Sequence, residues 1–231
     1  MRIPLYIDFK GKRVAVLGGG GVGTGRALKF IEAGAEVTVF SKDFTDELKK
    51  AANKGVVKLE KCDVKGMDLS ILKEFDLVVV ALADRSMNDN ILRAARKYKT
   101  LVNLANDASR TEVVVPFEGG RDGIRFAVTT EGKSGIVARK VRDAFQKLLE
   151  EDEETMFLLS AMEHVKKYMK EKNVPVNTRM RLYYIVSSDN TFRKLVREEK
   201  IEEARKYAES LIEEYVSGRK SFDSSEDILE F

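Results

Sequence analysis

The chain has 231 residues, with 41 Lys and Arg against 38 Asp and Glu for a formal charge of +3, and this near balance carries no nucleic-acid footprint. Its 43% hydrophobic and 34% charged residues describe a globular protein of one ample domain or two modest ones. A single cysteine, Cys62, excludes an internal disulfide and a paired-thiol centre, while the longest apolar run, Leu77–Ala83, is too short for a membrane span or a signal peptide, so a cytoplasmic location is expected.

In chain order, the first strand is expected at Arg13–Leu17 and runs straight into Gly18-Gly-Gly-Gly-Val-Gly23, with a helix at Gly23–Ala33 and a second strand at Glu36–Phe40. Glycines spaced as G-x-G-x-x-G between a strand and a helix form a dinucleotide fingerprint. Gly18 allows the tight turn, Gly20 lets the backbone approach a pyrophosphate, and Gly23 lets the helix pack on the strand. The phosphates would sit at the helix N-terminus, where unpaired N–H groups favour negative charge. A glycine turn without a ligand is the bland alternative. At the end of the second strand a carboxylate usually holds the ribose hydroxyls of NAD, but here Phe40 is followed by Ser41, Lys42 and Asp43. Lys42 could accept the 2′-phosphate of NADP, and the motif leaves the choice open.

Further helices are expected at Asp43–Asn53, Met87–Lys97 and Ser134–Glu150, and further strands at Val57–Lys61, Leu77–Ala83, Leu101–Leu104, Val113–Pro116 and Arg125–Thr129. Strands alternating with helices imply an α/β, Rossmann-like, doubly wound parallel sheet. Of 16 glycines, all but Gly218 precede residue 136, and from Glu151 onward the chain reads as nearly all helix. Met162, Val165 and Met169, and again Ile201, Ala204, Ala208, Leu211, Ile212 and Tyr215, recur at helical spacing and are expected to pack helix on helix or on a partner subunit. The division expected is a dinucleotide-binding domain (1–112), a central dimerisation and substrate region (113–150), a small helical domain (151–216) and a loose tail (217–231). His164, the only histidine, is expected at the surface, and no metal cluster is visible.

The order of segments resembles one family. Ile3-Pro-Leu-Tyr-Ile-Asp-Phe9, Val16-Leu-Gly-Gly-Gly-Gly-Val22, Glu32-Ala-Gly-Ala35, Val80-Ala-Leu-Ala-Asp84 with Asn88, Asn103-Leu-Ala-Asn-Asp107, and Val128-Thr-Thr-Glu-Gly-Lys-Ser134 with Ala138-Arg139 look like the siroheme-synthase family, whose members are precorrin-2 dehydrogenases standing alone or fused to further modules. In the helical half, Asn177-Thr-Arg-Met-Arg-Leu-Tyr-Tyr184 and the helix at Ile201–Tyr215 continue the likeness, which covers residues 1–216. The resemblance implies NAD-dependent oxidation of precorrin-2 to sirohydrochlorin, in some members followed by Fe²⁺ insertion, and a homodimer. It places nucleotide contacts on Gly21, Val22, Lys42 and Asp43, and tips the cofactor from NADP to NAD.

This chain also departs from the family. The family's Asn-Val-Val-Asp carries a carboxylate where Asn106 stands here, with Asp107 one residue later; its Ala-Thr-Asp is Ala81-Leu82-Ala83, which removes the polar side chains from the cofactor contact at Ala83. Either Asp107 takes the role of base, or positioning alone serves the reaction; the need for a carboxylate near the departing proton favours Asp107. Around the expected pocket Arg110, Lys133, Arg139, Lys140 and Arg142 could meet the eight carboxylates of such a macrocycle. Ser134 reads first as a helix cap, with substrate contact as a second role. The rival readings are a nucleotide-sensing regulatory module and a family member that has lost catalysis.

Overall fold

A computed structural model describes residues 2–222. The chain divides into two compact units. The first comprises the residues up to Glu118 together with Ala127–Arg142; the second comprises Gly119–Phe126 and the chain from Asp143 onward. The segment 113–150 expected as a region of its own is shared between them.

The first unit is built on a parallel sheet of β1 (Arg13–Leu17), β2 (Glu36–Ser41), β3 (Lys58–Lys61), β4 (Leu77–Val80) and β5 (Leu101–Leu104) in the order β3-β2-β1-β4-β5. The order reverses at β1, the switch point beside which open α/β sheets bind ligands at their carboxyl edge. β1 and β4 occupy the centre because Val14-Ala-Val-Leu17 and Leu77-Val-Val-Val80 are apolar throughout and can be buried on both faces. Helices α1 (Gly21–Glu32) and α2 (Asp46–Asn53) cover one face with Ala27, Phe30 and Leu48, and α3 (Asn88–Tyr98), with two short 3-10 turns at Val64–Gly66 and Leu69–Glu74, covers the other with Leu72, Ile91 and Ala95. This is the doubly wound α/β fold expected from the alternation of elements.

Several boundaries differ from the periodicity. α2 starts at Asp46 rather than Asp43, because Thr45 caps it by accepting from the Leu48 amide, and Asp46 and Glu47 fill the first turn. Leu77–Ala83 is a strand only to Val80, and α1 begins two residues before Gly23. The expected strand Val113–Pro116 does not form. Its first residues instead hook onto the free edge of β5: Val113 N–H donates to the Val102 carbonyl, Thr111 Oγ1 accepts from Leu104 N–H, and Asn103 Nδ2 donates to the Val113 carbonyl. Pro116 then has no N–H for a ladder. The strand of this region is β6 (Phe117–Arg121), paired with β7 (Ile124–Val128) across Asp122-Gly123, both at positive φ as a two-residue type I′ turn requires. The helix α4 (Gly135–Glu151) follows.

In the second unit α5 (Glu153–Glu171), α6 (Val176–Ser188), α7 (Asn190–Arg197) and α8 (Ile201–Val216) enclose a core of Met162, Val165, Met169, Leu182, Phe192, Ala208 and Ile212. The helical stripes therefore pack on one another. His164 is not a free surface residue: α8 lies along α5 in a register that sets Glu209 Oε1 2.6 Å from its Nε2, and the imidazole stacks on Tyr168. After α8 the chain is not loose as far as Phe222, whose ring packs on Tyr215 and Arg181 while Lys220 pairs with Glu214; the rest of the expected tail lies outside the described residues.

Candidate nucleotide and substrate site

The turn after β1 is shaped by backbone crowding on one side and open space on the other. Gly18 has φ +110°, and a Cβ there would stand 2.6 Å from the Ala81 carbonyl oxygen; a Cβ on Gly23 would stand 1.8 Å from the Gly18 carbonyl oxygen. Neither position can carry a side chain without moving β4 or α1. Gly19, which the fingerprint spacing does not single out, is equally confined, 2.5 Å from the Asp43 carbonyl. At Gly20 and Gly21 a Cβ would meet nothing within 4 Å, so the outer face of the loop is open for a pyrophosphate at the start of α1, where Val22 is exposed. These residues fit a dinucleotide.

Beside this loop, at the carboxyl ends of β2, β3 and β4, lies a crevice of 260 Å³ lined by Ser41, Lys42, Cys62, Asp63, Lys65 and Asp84, among others, with Ala83 also on its wall. Its two lysines are both spent. Lys42 Nζ is 2.8 Å from Asp63, and Lys65 Nζ is 2.7 Å from Asp84. The hydrogen bond from Lys42 and the backbone bond from Lys65 hold Asp63 below the usual carboxylate range, and Lys65 with Ser86 does the same for Asp84. A carboxylate does line this crevice, that of Asp63 two residues past β3, a position that sequence spacing from the glycine loop does not reveal. Asp43 is exposed and contributes its carbonyl to the wall against Gly19. Cys62 has its thiol pushed up by burial and by Glu60 and Asp63, which keeps it in the unreactive form.

The loop after β5 sets Asn106 and Asp107 in different roles. Asn106 is a strut: its Oδ1 accepts from Nδ2 of the buried Asn88 at 3.0 Å and its Nδ2 donates to the Leu82 carbonyl at 2.7 Å, tying this loop to the one after β4. Asp107 accepts from Ser109 Oγ and from Arg110 Nε, each at 2.7 Å. Those bonds stabilise the anion and pull the carboxyl down to about 2. Arg110 reaches Asp89 as well and lines a groove of 660 Å³ with Arg93, Arg96 and Ser109.

Arg2, outside every motif, fastens the neighbouring loops. Its guanidinium donates to the carbonyls of Ala108 (2.9 Å) and Thr111 (2.8 Å) and pairs with Glu131. Behind it the turn at residues 130–134 rests on Ala108, within 2.2 Å of where a Cβ on Gly132 would be. Ser134 caps α4, Oγ accepting from Val137 N–H at 3.3 Å, while Lys133 stands exposed in the turn. Arg139 lies over the Phe117 ring at 5.5 Å. The structure thus places Lys133, Ser134 and the loop bearing Asp107 and Arg110 on connected turns of the first unit. Among the described residues no group of three His, Cys, Asp or Glu could hold a metal ion, and no helix is long and apolar enough to cross a membrane.

Residues 5–117 match a family described as "Putative NAD(P)-binding". A relative from Methanocaldococcus jannaschii, named "Putative precorrin-2 dehydrogenase", is 26% identical over 73% of this chain and 82% of its own length. A siroheme synthase from Photorhabdus laumondii is 24% identical over 92% of this chain but only 44% of its own length, so the chain spans less than half of that longer enzyme. Among solved structures, one titled "SirC, precorrin-2 dehydrogenase" superposes with a TM-score of 0.60 at 22% identity, covering 93% of this chain and all of that one, and so shares the fold.

Proposed function

We propose that the chain belongs to the precorrin-2 dehydrogenase and siroheme synthase family named by its relatives, and that it oxidises precorrin-2 to sirohydrochlorin with NAD. The observation that carries the reading is the glycine loop, closed to side chains at Gly18 and Gly23 and open at Gly20 and Gly21, on the same carboxyl edge of the sheet as the ionised Asp107. NAD supplies the hydride acceptor when bound. The chain's own residues do the rest. Backbone N–H groups of the loop orient the nucleotide, Asn106 and Asn88 fix the loop that carries Asp107, and Asp107 takes the proton that leaves as the hydride departs. Holding donor carbon and acceptor in contact lowers the barrier by several kcal/mol (roughly 7–11 at best).

The paired state of Lys42 supports NAD over NADP, since a 2′-phosphate would enter a crevice whose two cations are each answered by a carboxylate. Lys133, Ser134, Arg139 and Arg110 are the contacts proposed for the acidic substrate, with Arg110 exchanging Asp107 for a substrate carboxylate. A homodimer is supported by the exposed Ile136, Val137, Phe145 and Leu148 of α4, with 113–150 as the region that joins the copies, and a cytoplasmic location fits the substrate. Insertion of Fe²⁺ as a second substrate would rest on the same Asp107. Anaerobic incubation with precorrin-2 and NAD tests the reading: the expected result is growth of nicotinamide absorbance matched to the appearance of sirohydrochlorin. Its absence in protein that binds NAD would leave a nucleotide-binding member without catalysis, and adding Fe²⁺ to the same mixture checks for siroheme.

A further inference from the structure

Of the cations expected around the substrate pocket Arg110 and Arg142 are already engaged, and a further, half-buried cation outside the motifs, Arg26, has only a weak partner. Arg26 sits on α1 one turn beyond Val22, so that Val22, Arg26 and Lys29 share a face of the helix. That face lines a pocket of 420 Å³ together with Gly25, Phe117 and Arg142. Lys29 is answered by Glu118 at 3.1 Å and donates to the Pro116 carbonyl, and Arg142 donates to the Glu118 carbonyl. The guanidinium of Arg26 has one bond, 3.4 Å to the Val115 carbonyl, at the long limit for a hydrogen bond, and no carboxylate among the described residues pairs with it. Burial lowers its pKa. A half-buried guanidinium with five donors and a single long bond is costly to leave unmatched, while Arg2, Arg110 and Arg121 in the same chain are all paired with carboxylates.

We propose that Arg26 is a carboxylate-binding subsite for the acidic side chains of the substrate, reached from the pocket whose Val22 and Phe117 offer an apolar wall to the macrocycle. The assignment rests on the tetrapyrrole reading above. Gly21 borders the same pocket, but Arg26 lies about 6 Å further along the helix axis than Val22, and the NADH measurement below separates a substrate contact from a pyrophosphate contact. Arg26 differs from a structural residue because its one hydrogen bond among the described residues is the long one to Val115.

The test compares wild type, Arg26→Gln and Arg26→Lys in three measurements: uroporphyrin binding, as an eight-carboxylate macrocycle followed by its fluorescence; NADH binding, followed by nicotinamide fluorescence; and thermal unfolding. Loss of a charged hydrogen-bonding partner is worth roughly 1.5–3 kcal/mol, about 10- to 100-fold in affinity. Arg26→Gln should weaken uroporphyrin by about tenfold or more, Arg26→Lys should restore part of it, NADH affinity should not change, and the melting temperature should not fall. Unchanged uroporphyrin affinity overturns the subsite, as does a loss confined to NADH or a loss of both ligands with a lowered melting temperature. If wild type binds NADH and not uroporphyrin, the tetrapyrrole reading fails with it; if wild type binds uroporphyrin and the Arg26→Gln protein does so equally, only the subsite fails.

Discussion

Asp107 shows how the setting of a single residue decides its chemistry. Two hydrogen bonds, from Ser109 and Arg110, keep its carboxyl at about 2, so it is an anion throughout the range in which the protein would work, yet a weak base until a substrate carboxylate draws Arg110 away. Asp107→Asn should cut turnover by about 10²–10⁴-fold with NAD binding retained; turnover within a few-fold of wild type would leave positioning as the whole account. Because a lowered pKa keeps the base ionised until the pH falls through it, the acid limb of the rate profile lies low. Removing one stabilising donor in Arg110→Gln should move that limb up toward the ordinary Asp value of about 4, measured as kcat/KM against pH. Asp63 is the second such residue. Replacing it by Asn frees the Lys42 ammonium, and the affinity for NADP, measured by titration, should rise by about tenfold or more while that for NAD changes little. No gain for NADP would mean that the pair does not govern the choice. The sequence shows Lys42 plainly, but its partner comes from the loop after a different strand, which is why its charge looked available.

Among the elements, those with strong local signals were legible and those held by side-chain bonds were not. β1, β4 and β5 follow from apolar runs bounded by turn residues. α2 was read three residues too early, since Ser41-Lys-Asp43 looks as much like a helix start as Thr45-Asp-Glu47 until the Thr45 hydroxyl is seen on the Leu48 amide and on Thr24. Thr45→Ala should therefore lower stability by about 1 kcal/mol, read from denaturant midpoints at constant slope; no change would show the cap to be dispensable. The run Val113-Val-Val115 has the composition of a strand and is not one, because Thr111 and Asn103 satisfy the backbone there through side-chain bonds that no periodicity encodes. The reverse holds for β6, whose Phe117-Glu-Gly-Gly-Arg121 is poor in strand formers and is organised by its hairpin turn.

At the scale of the whole molecule, α4 exposes Ile136, 85% accessible, and Leu148, 65% accessible, apolar side chains that a second copy of the chain could cover. If these residues meet a second copy, Ile136→Glu with Leu148→Glu should shift the protein from dimer to monomer in light scattering coupled to gel filtration; a wild type already monomeric at assay concentration would remove the dimer from the reading. What the sequence by itself determined is the doubly wound sheet, the helical second half and the glycine loop, because each rests on local rules: apolar periodicity, the conformational freedom of Gly18, and the lack of room at Gly23. Only the tertiary structure decided which charges are free. It paired Lys42 with Asp63 and Arg110 with Asp107, made Asn106 a strut to Asn88, brought Glu209 to His164, and left Arg26 unanswered. Apart from the local pair of Arg110 with Asp107, each of those outcomes depends on two groups far apart in sequence approaching within a few ångströms, or, for Arg26, on no carboxylate among the described residues doing so, and distance in the fold is the quantity that composition and spacing along one chain do not contain.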